Sequence, residues 1–156
     1  METVYGAQIF CRAAVLALAE AAVFYDYRYY KIPNRLVVWG FAAAITGKIL
    51  LTVFLGMDAL ELFKIPVNAV VILLMLLPLY FFHAVGGGDI KLLAVAGGLL
   101  GALEGIQISV TALMVSALYG VPVMVKRRGK GMHKIHFSYA VFVAVIISIL
   151  RTQIIF

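Results

Sequence analysis

Apolar residues along the chain are grouped into six long stretches, separated by short polar connections. Most of the stretches approach the ~20 residues that an α-helix needs to cross ~30 Å of hydrocarbon. The fourth is shorter and rich in glycine, which allows neighbouring helices to pack closely. The fourth and fifth together are too long for one crossing, so we expect a turn near Glu104 and Gly105. The stretches cover about residues 4–25, 36–55, 65–82, 92–103, 106–125 and 137–155.

The composition agrees with an all-α membrane protein of six transmembrane helices. Of the 156 residues, 65% are hydrophobic and 13% are charged, whereas soluble domains have about 25% charged residues. The length suits a single domain over residues 1–156. The single Cys11 excludes an internal disulfide, and no Cys/His spacing indicates a metal site. We therefore expect neither a metal nor a cofactor.

Lys and Arg are distributed unequally between the two ends of the predicted helices. With six crossings, nine of the 13 basic residues fall on one side and two on the other, Lys64 and Arg151. An excess of basic residues marks cytoplasmic loops, so both termini are predicted on the non-cytoplasmic side. The net charge of +6 thus indicates topology and contact with anionic lipid rather than nucleic-acid binding. The nine residues are Arg28, Lys31, Arg35, Lys91, Lys126, Arg127, Arg128, Lys130 and Lys134.

Three charged residues, Arg12, Glu20 and Lys48, fall inside the predicted helices. A charge in hydrocarbon is costly, and such residues usually pair with one another or with other helices. We expect them to make structural pairs of this kind, with Lys48 and Glu20 as one candidate pair.

Two acids, Asp26 and Asp89, lie at the predicted cytoplasmic ends of the first and fourth stretches. Asp26 is followed by a helix break, because Pro33 disfavours helix at the residue before it. Asn34 then suits the N-cap of the second helix. Asp89 follows three glycines, which permit positive φ and leave room for another backbone. These glycines are Gly86, Gly87 and Gly88.

Two carboxyl groups that meet can share a proton, and such a pair has a specific chemistry. The ionised member activates water while the protonated member polarises a carbonyl, which hydrolyses amides without a metal. The helix-end argument predicts that Asp89, at a helix N-terminus, ionises more easily than Asp26. The residues alone leave other readings open. The glycines and Asp89 also fit a flexible turn with a solvated cap, a proton-coupled transporter, or a non-catalytic assembly protein.

The segments Asp26-x-Arg28-x-x-Lys31-Ile32-Pro33-Asn34 and Gly86-x-Gly88-Asp89-x-Lys91 resemble the two signature motifs of the type IV prepilin peptidases. These are membrane aspartyl proteases of the GxGD class, and the resemblance covers about residues 25–101. It implies removal of the short basic leader from prepilin-like precursors at the cytoplasmic face of the inner membrane. By this resemblance, Asp26 and Asp89 are the catalytic pair.

The remaining motif residues carry expectations of their own. The three glycines are expected to let a substrate backbone approach Asp89. Arg28 and Lys91 would bind an acidic substrate residue or a lipid phosphate, with snorkelling to headgroups favoured. Larger members of the family have an additional N-terminal cytoplasmic domain with paired Cys motifs and methylate their product. This sequence resembles the short Tad/CpaA-like subgroup, so methyltransferase activity is not expected. The substrate's identity and the oligomeric state are not predicted.

Overall fold

The computed structural model describes residues 2–29, 32–56, 60–82, 85–126 and 137–155. Within these ranges the chain forms six α-helices and no strand, which confirms the predicted all-helical class. Lys31 and the basic segment 127–136 lie outside the described residues. The helices are α1 (Glu2–Tyr29), α2 (Asn34–Leu55), α3 (Leu60–Phe81), α4 (Gly87–Leu100), α5 (Ala102–Lys126) and α6 (Phe137–Ile155).

Four of the helices contain segments long and apolar enough to cross a membrane. Helix α6 contributes a shorter apolar segment, Phe137–Thr152, and α4 is not among these candidates. Length and apolar composition therefore support four of the six predicted crossings. The orientation of the termini stays a prediction. The four segments are Gly6–Tyr29, Asn34–Phe54, Leu62–Phe81 and Ala102–Gly120.

Helix α4 lies in the middle of the bundle and contacts each of the other five helices. Nine of its 14 residues are buried. A helix of this length spans about 21 Å, less than the ~30 Å thickness of the hydrocarbon. Because α4 is surrounded by protein, it does not need the length of a helix that faces lipid.

Glycines in α4 provide the close packing that the sequence predicted. A Cβ on Gly98 would lie 3.0 Å from the backbone oxygen of Ile65 in α3. A Cβ on Gly97 would collide with Ile72, also in α3. The absence of these two side chains lets α3 lie directly against α4.

The turn between α4 and α5 lies at Gly101 and not at Glu104 and Gly105, so the predicted position was wrong. Gly101 has φ 108° and ψ 154°, a conformation that residues with a Cβ rarely adopt. Gly105 instead lies in the first turn of α5, packed against Gly97, where a Cβ would collide. The sequence alone did not distinguish a turn glycine from a packing glycine.

One ion pair joins the first and fifth helices. Arg12 Nη2 lies 3.4 Å from Glu104 Oε1, and the hydroxyl of Ser148 donates to the same oxygen at 3.0 Å. This confirms that an intramembrane charge pairs with another helix. The described residues contain no ion pair between Lys48 and Glu20, and Glu20 is exposed.

Candidate active site

Asp26 lies in the last turn of α1 and is half-buried. Its Oδ2 accepts a hydrogen bond of 2.5 Å from the hydroxyl of Ser138. Ser138 is the second residue of α6, and its side chain is fully buried. The end of α1 and the start of α6 are thus joined through the Asp26 carboxyl group.

Asp89 lies in the first turn of α4, before the apolar part of that helix and outside the candidate spans. Its Oδ1 is buried and has no hydrogen-bond partner among the described residues. Burial of the carboxyl, and then the charge of Asp26, raise the pKa of Asp89 from 3.8 to about 7. The structure therefore brings Asp26 and Asp89 within electrostatic range at one end of the bundle.

The raised pKa overturns one expectation for Asp89, and the burial of its carboxyl group disagrees with one alternative. A helix N-terminus stabilises a carboxylate by about 0.3–1 kcal/mol at exposed sites, and this argument predicted that Asp89 ionises easily. That prediction was wrong, because burial penalises the charged form and is the larger effect here. A solvated Asp capping a flexible turn also disagrees with the buried Oδ1.

The three glycines before Asp89 adopt ordinary backbone conformations. Gly86 is extended, with φ −70° and ψ 146°, and Gly87 and Gly88 are the first two residues of α4. The described glycines with positive φ are Gly56 and Gly101, so Gly86, Gly87 and Gly88 do not use the positive φ that glycine permits. The expected approach of a substrate backbone stays a prediction.

What the glycines provide is space for their neighbours. A Cβ on Gly86 would lie 2.8 Å from Asp89 Oδ2, so a side chain there would displace the carboxyl group. A Cβ on Gly88 would lie 3.0 Å from the Cβ of Ile32, between α1 and α2. A Cβ on Gly87 would lie 3.3 Å from the ring of Tyr80. Gly88 thus brings Asp89 close to the chain that follows Asp26.

The break after α1 forms where the sequence predicted it, but Pro33 and Asn34 occupy different positions in it from those predicted. Pro33 is extended, with φ −69° and ψ 132°, and occupies the N-cap position of α2 that was predicted for Asn34. Asn34 is the first residue of the helix, and its Oδ1 accepts a 2.9 Å hydrogen bond from Lys91 Nζ. This bond connects the two motif segments directly, because Lys91 follows Asp89 by two residues.

Arg28 is exposed at the end of α1. Its guanidinium lies 5.9 Å from the ring centroid of Tyr29, within the range of a cation–π contact. This contact does not bring Arg28 to Asp26 or Asp89, and a role toward substrate or lipid stays a prediction.

Sequence reasoning missed two residues of this region, Ser138 and Ile32. A serine at the start of an apolar stretch resembles a helix cap, and nothing local indicates that its hydroxyl reaches a different helix. Ile32 belongs to the first motif segment, but no contact between it and Gly88 was predicted. In the described part of the chain, no three His, Cys, Asp or Glu residues are grouped as metal ligands.

No curated protein and no solved structure matched the chain. The sequence profile of the type IV leader peptidase family matches residues 13–125. The matched segment contains Asp26, Asp89 and the whole of helices α2, α3 and α4. Because the match covers well over half of the 156 residues, the chain belongs to the type IV leader peptidase family.

Proposed function

We propose that this chain is an aspartyl endopeptidase that removes the leader from prepilin-like precursors, within a single domain over residues 1–156. Membership of the type IV leader peptidase family implies a peptidase. The observation that carries the aspartyl mechanism is the electrostatic coupling of Asp26 and Asp89, two acids from different helices. Two carboxyl groups that interact in this way can hydrolyse an amide without a metal, because one activates water while the other donates a proton.

The proposed reaction uses the two carboxyl groups in opposite protonation states. With a pKa of about 7, Asp89 carries its proton below about pH 7 and donates it to the scissile carbonyl oxygen. Asp26 takes a proton from the water that attacks the carbonyl carbon. In the second step, one hydroxyl of the tetrahedral intermediate returns its proton to Asp89. Asp26 gives its proton to the leaving nitrogen as the C–N bond breaks.

The orientation in the membrane is part of the proposal. Arg28, Arg35 and Lys91 lie at the end of the bundle that carries the two acids, and Lys64 and Arg151 belong to the opposite end. This asymmetry favours a cytoplasmic active site in the inner membrane, with both termini outside. A reporter that is active only outside the cytoplasm is expected to be active when it is fused to the C-terminus. Activity of a cytoplasmic reporter at that position would show the opposite orientation.

The test is cleavage of a prepilin-like precursor by the purified full chain in detergent. Wild type is expected to shorten the precursor, whereas Asp26→Asn and Asp89→Asn are expected to leave it intact. Glu20→Gln is the matched control, because Glu20 is an exposed acid on the same helix as Asp26. Near-normal turnover by Asp26→Asn would exclude the two-acid mechanism. A wild type that cleaves no precursor would count against the whole proposal.

A further inference from the structure

Ser138 in α6 contacts the proposed active site, and the family match does not reach it. The match ends at residue 125, whereas α6 begins at Phe137. The side chain of Ser138 is 0% exposed, and its hydroxyl donates to Asp26 Oδ2. A fully buried hydroxyl from a separate helix therefore binds one oxygen of an acid proposed to act in catalysis.

The hydroxyl of Ser138 makes a different kind of contact from that of a serine in the middle of a helix. Inside a helix, a serine usually donates to the carbonyl four residues earlier. Ser109 does this, with a 2.7 Å bond to the carbonyl of Gly105. Ser138 is the second residue of α6. Its hydroxyl donates across the interface between α1 and α6 instead.

We propose that Ser138 is a positioning residue of the peptidase reaction, whose hydroxyl holds the Asp26 carboxyl group in the orientation that accepts a proton from water. This inference rests on the proposed function. A serine hydroxyl has one hydrogen to donate, and it is used on Oδ2. The bond fixes rotation of the carboxyl group and keeps Oδ2 an acceptor. The other carboxyl oxygen of Asp26 is thereby held in a fixed direction. Proton transfer from a positioned water requires such a fixed acceptor.

The first test compares Ser138→Ala with Ser109→Ala in the purified full chain, using a prepilin-like peptide as substrate. Both variants remove a fully buried hydroxyl, but Ser109 bonds only to its own helix in the described contacts. Ser138→Ala is expected to lower kcat by about 10- to 100-fold with KM unchanged, as the loss of a hydrogen bond to a charged group would do. Ser109→Ala is expected to keep kcat within about threefold of wild type.

A second variant, Ser138→Cys, tests the inference if the alanine variant is unstable. A thiol fills nearly the same space but is a weak donor, so we expect a folded protein with kcat reduced at least about tenfold. A kcat for Ser138→Cys equal to wild type would overturn the inference. A loss for Ser138→Ala that Ser109→Ala reproduces would also overturn it, because the effect would then be structural.

Infrared spectroscopy separates this inference from the proposed function. The carboxylate stretching band of Asp26, assigned by its loss in Asp26→Asn, is expected to shift in Ser138→Ala and to stay in place in Ser109→Ala. An unshifted band in Ser138→Ala would overturn the positioning role. If the band shifts in Ser138→Ala but wild type cleaves no precursor, the contact between Ser138 and Asp26 is confirmed and the peptidase proposal is refuted. The role of the contact in catalysis is then refuted as well.

Discussion

Replacing Asp89 by Asn is expected to stabilise the protein at alkaline pH while abolishing cleavage. The physical reason is the cost of ionising a buried carboxyl group. The pKa of Asp89 is raised from 3.8 to about 7, first by burial and then by the charge of Asp26. Asparagine has nearly the same shape but carries no charge at any pH, so the variant does not bear this cost.

The sign of the pH dependence follows from proton binding. Between pH 3.8 and about 7, the folded protein keeps a proton on Asp89 that the unfolded chain has released. The free energy of unfolding therefore falls as pH rises through this interval and is independent of this group above it. From pH 5 to pH 8 the loss is at most about 3 kcal/mol, at about 1.36 kcal/mol for each pH unit below 7. For a chain of this size, that loss of stability corresponds to a decrease in Tm on the order of 10 °C.

The single cysteine provides the assay. Cys11 is free and only 3% exposed, so a dipyridyl disulfide, which reacts with thiols at acidic as well as alkaline pH, labels it when the bundle opens. Melting curves of wild type and Asp89→Asn in the same detergent at pH 5 and pH 8 isolate the contribution of Asp89. Asp26→Asn is expected to keep the larger part of the wild-type pH dependence, because burial is the larger cause. Glu20→Gln, which changes an exposed acid, is expected to behave as wild type.

One result would refute the reasoning. If the difference in Tm between wild type and Asp89→Asn is the same at pH 5 and pH 8, Asp89 does not titrate in this interval in the folded protein. The assignment of Asp89 as the proton donor would then fail, even if Asp89→Asn is inactive.

Three further substitutions test the contacts around the site and across the bundle. Gly88→Ala is expected to lower the free energy of unfolding by about 1–3 kcal/mol through overpacking. Gly6→Ala, which lies in α1 and has open space at its Cβ, should keep or slightly raise stability in thermal melts. Lys91→Met loses its hydrogen bond to the start of α2, so kcat should fall several-fold with little change in Tm, and an unchanged kcat would contradict this. Glu104→Ala leaves Arg12 unpaired and should cost about 1–3 kcal/mol of stability. Adding Arg12→Met should recover part of that loss, and a double variant less stable than Glu104→Ala would refute the explanation.

The helices could be predicted because a membrane imposes a simple rule on sequence. Each apolar stretch corresponds to a helix, and the errors lie at the ends. Helix α1 continues to Tyr29 through polar residues, and α4 begins at Gly87 rather than near residue 92. Hydropathy measures the apolar part of a helix, whereas its ends are set by packing and by local backbone geometry. The central place of α4 depends on contacts with five other helices, which no local pattern contains.

The site was predictable only in part, for the same physical reason. Asp26 and Asp89 could be selected because acids beside an apolar stretch are costly and because topology assigned them to one end. The contact with Ser138 joins residues 112 positions apart, and the sequence near Ser138 contains no sign of it. The protonation of Asp89 was mispredicted because helix-end electrostatics are visible in sequence, whereas the depth of burial is not.

The glycines and the raised pKa of Asp89 are two aspects of one arrangement. With no side chain at Gly86, the Asp89 carboxyl group can lie back against the start of α4, where a Cβ would be 2.8 Å from Oδ2. With no side chain at Gly88, the chain around Ile32 can lie against the same turn. Burial of the carboxyl group is the main cause of its raised pKa. A larger residue at Gly86 would displace the carboxyl group, and one at Gly88 would displace the chain around Ile32. We therefore expect the absence of side chains at these two glycines to help keep the pKa of Asp89 raised.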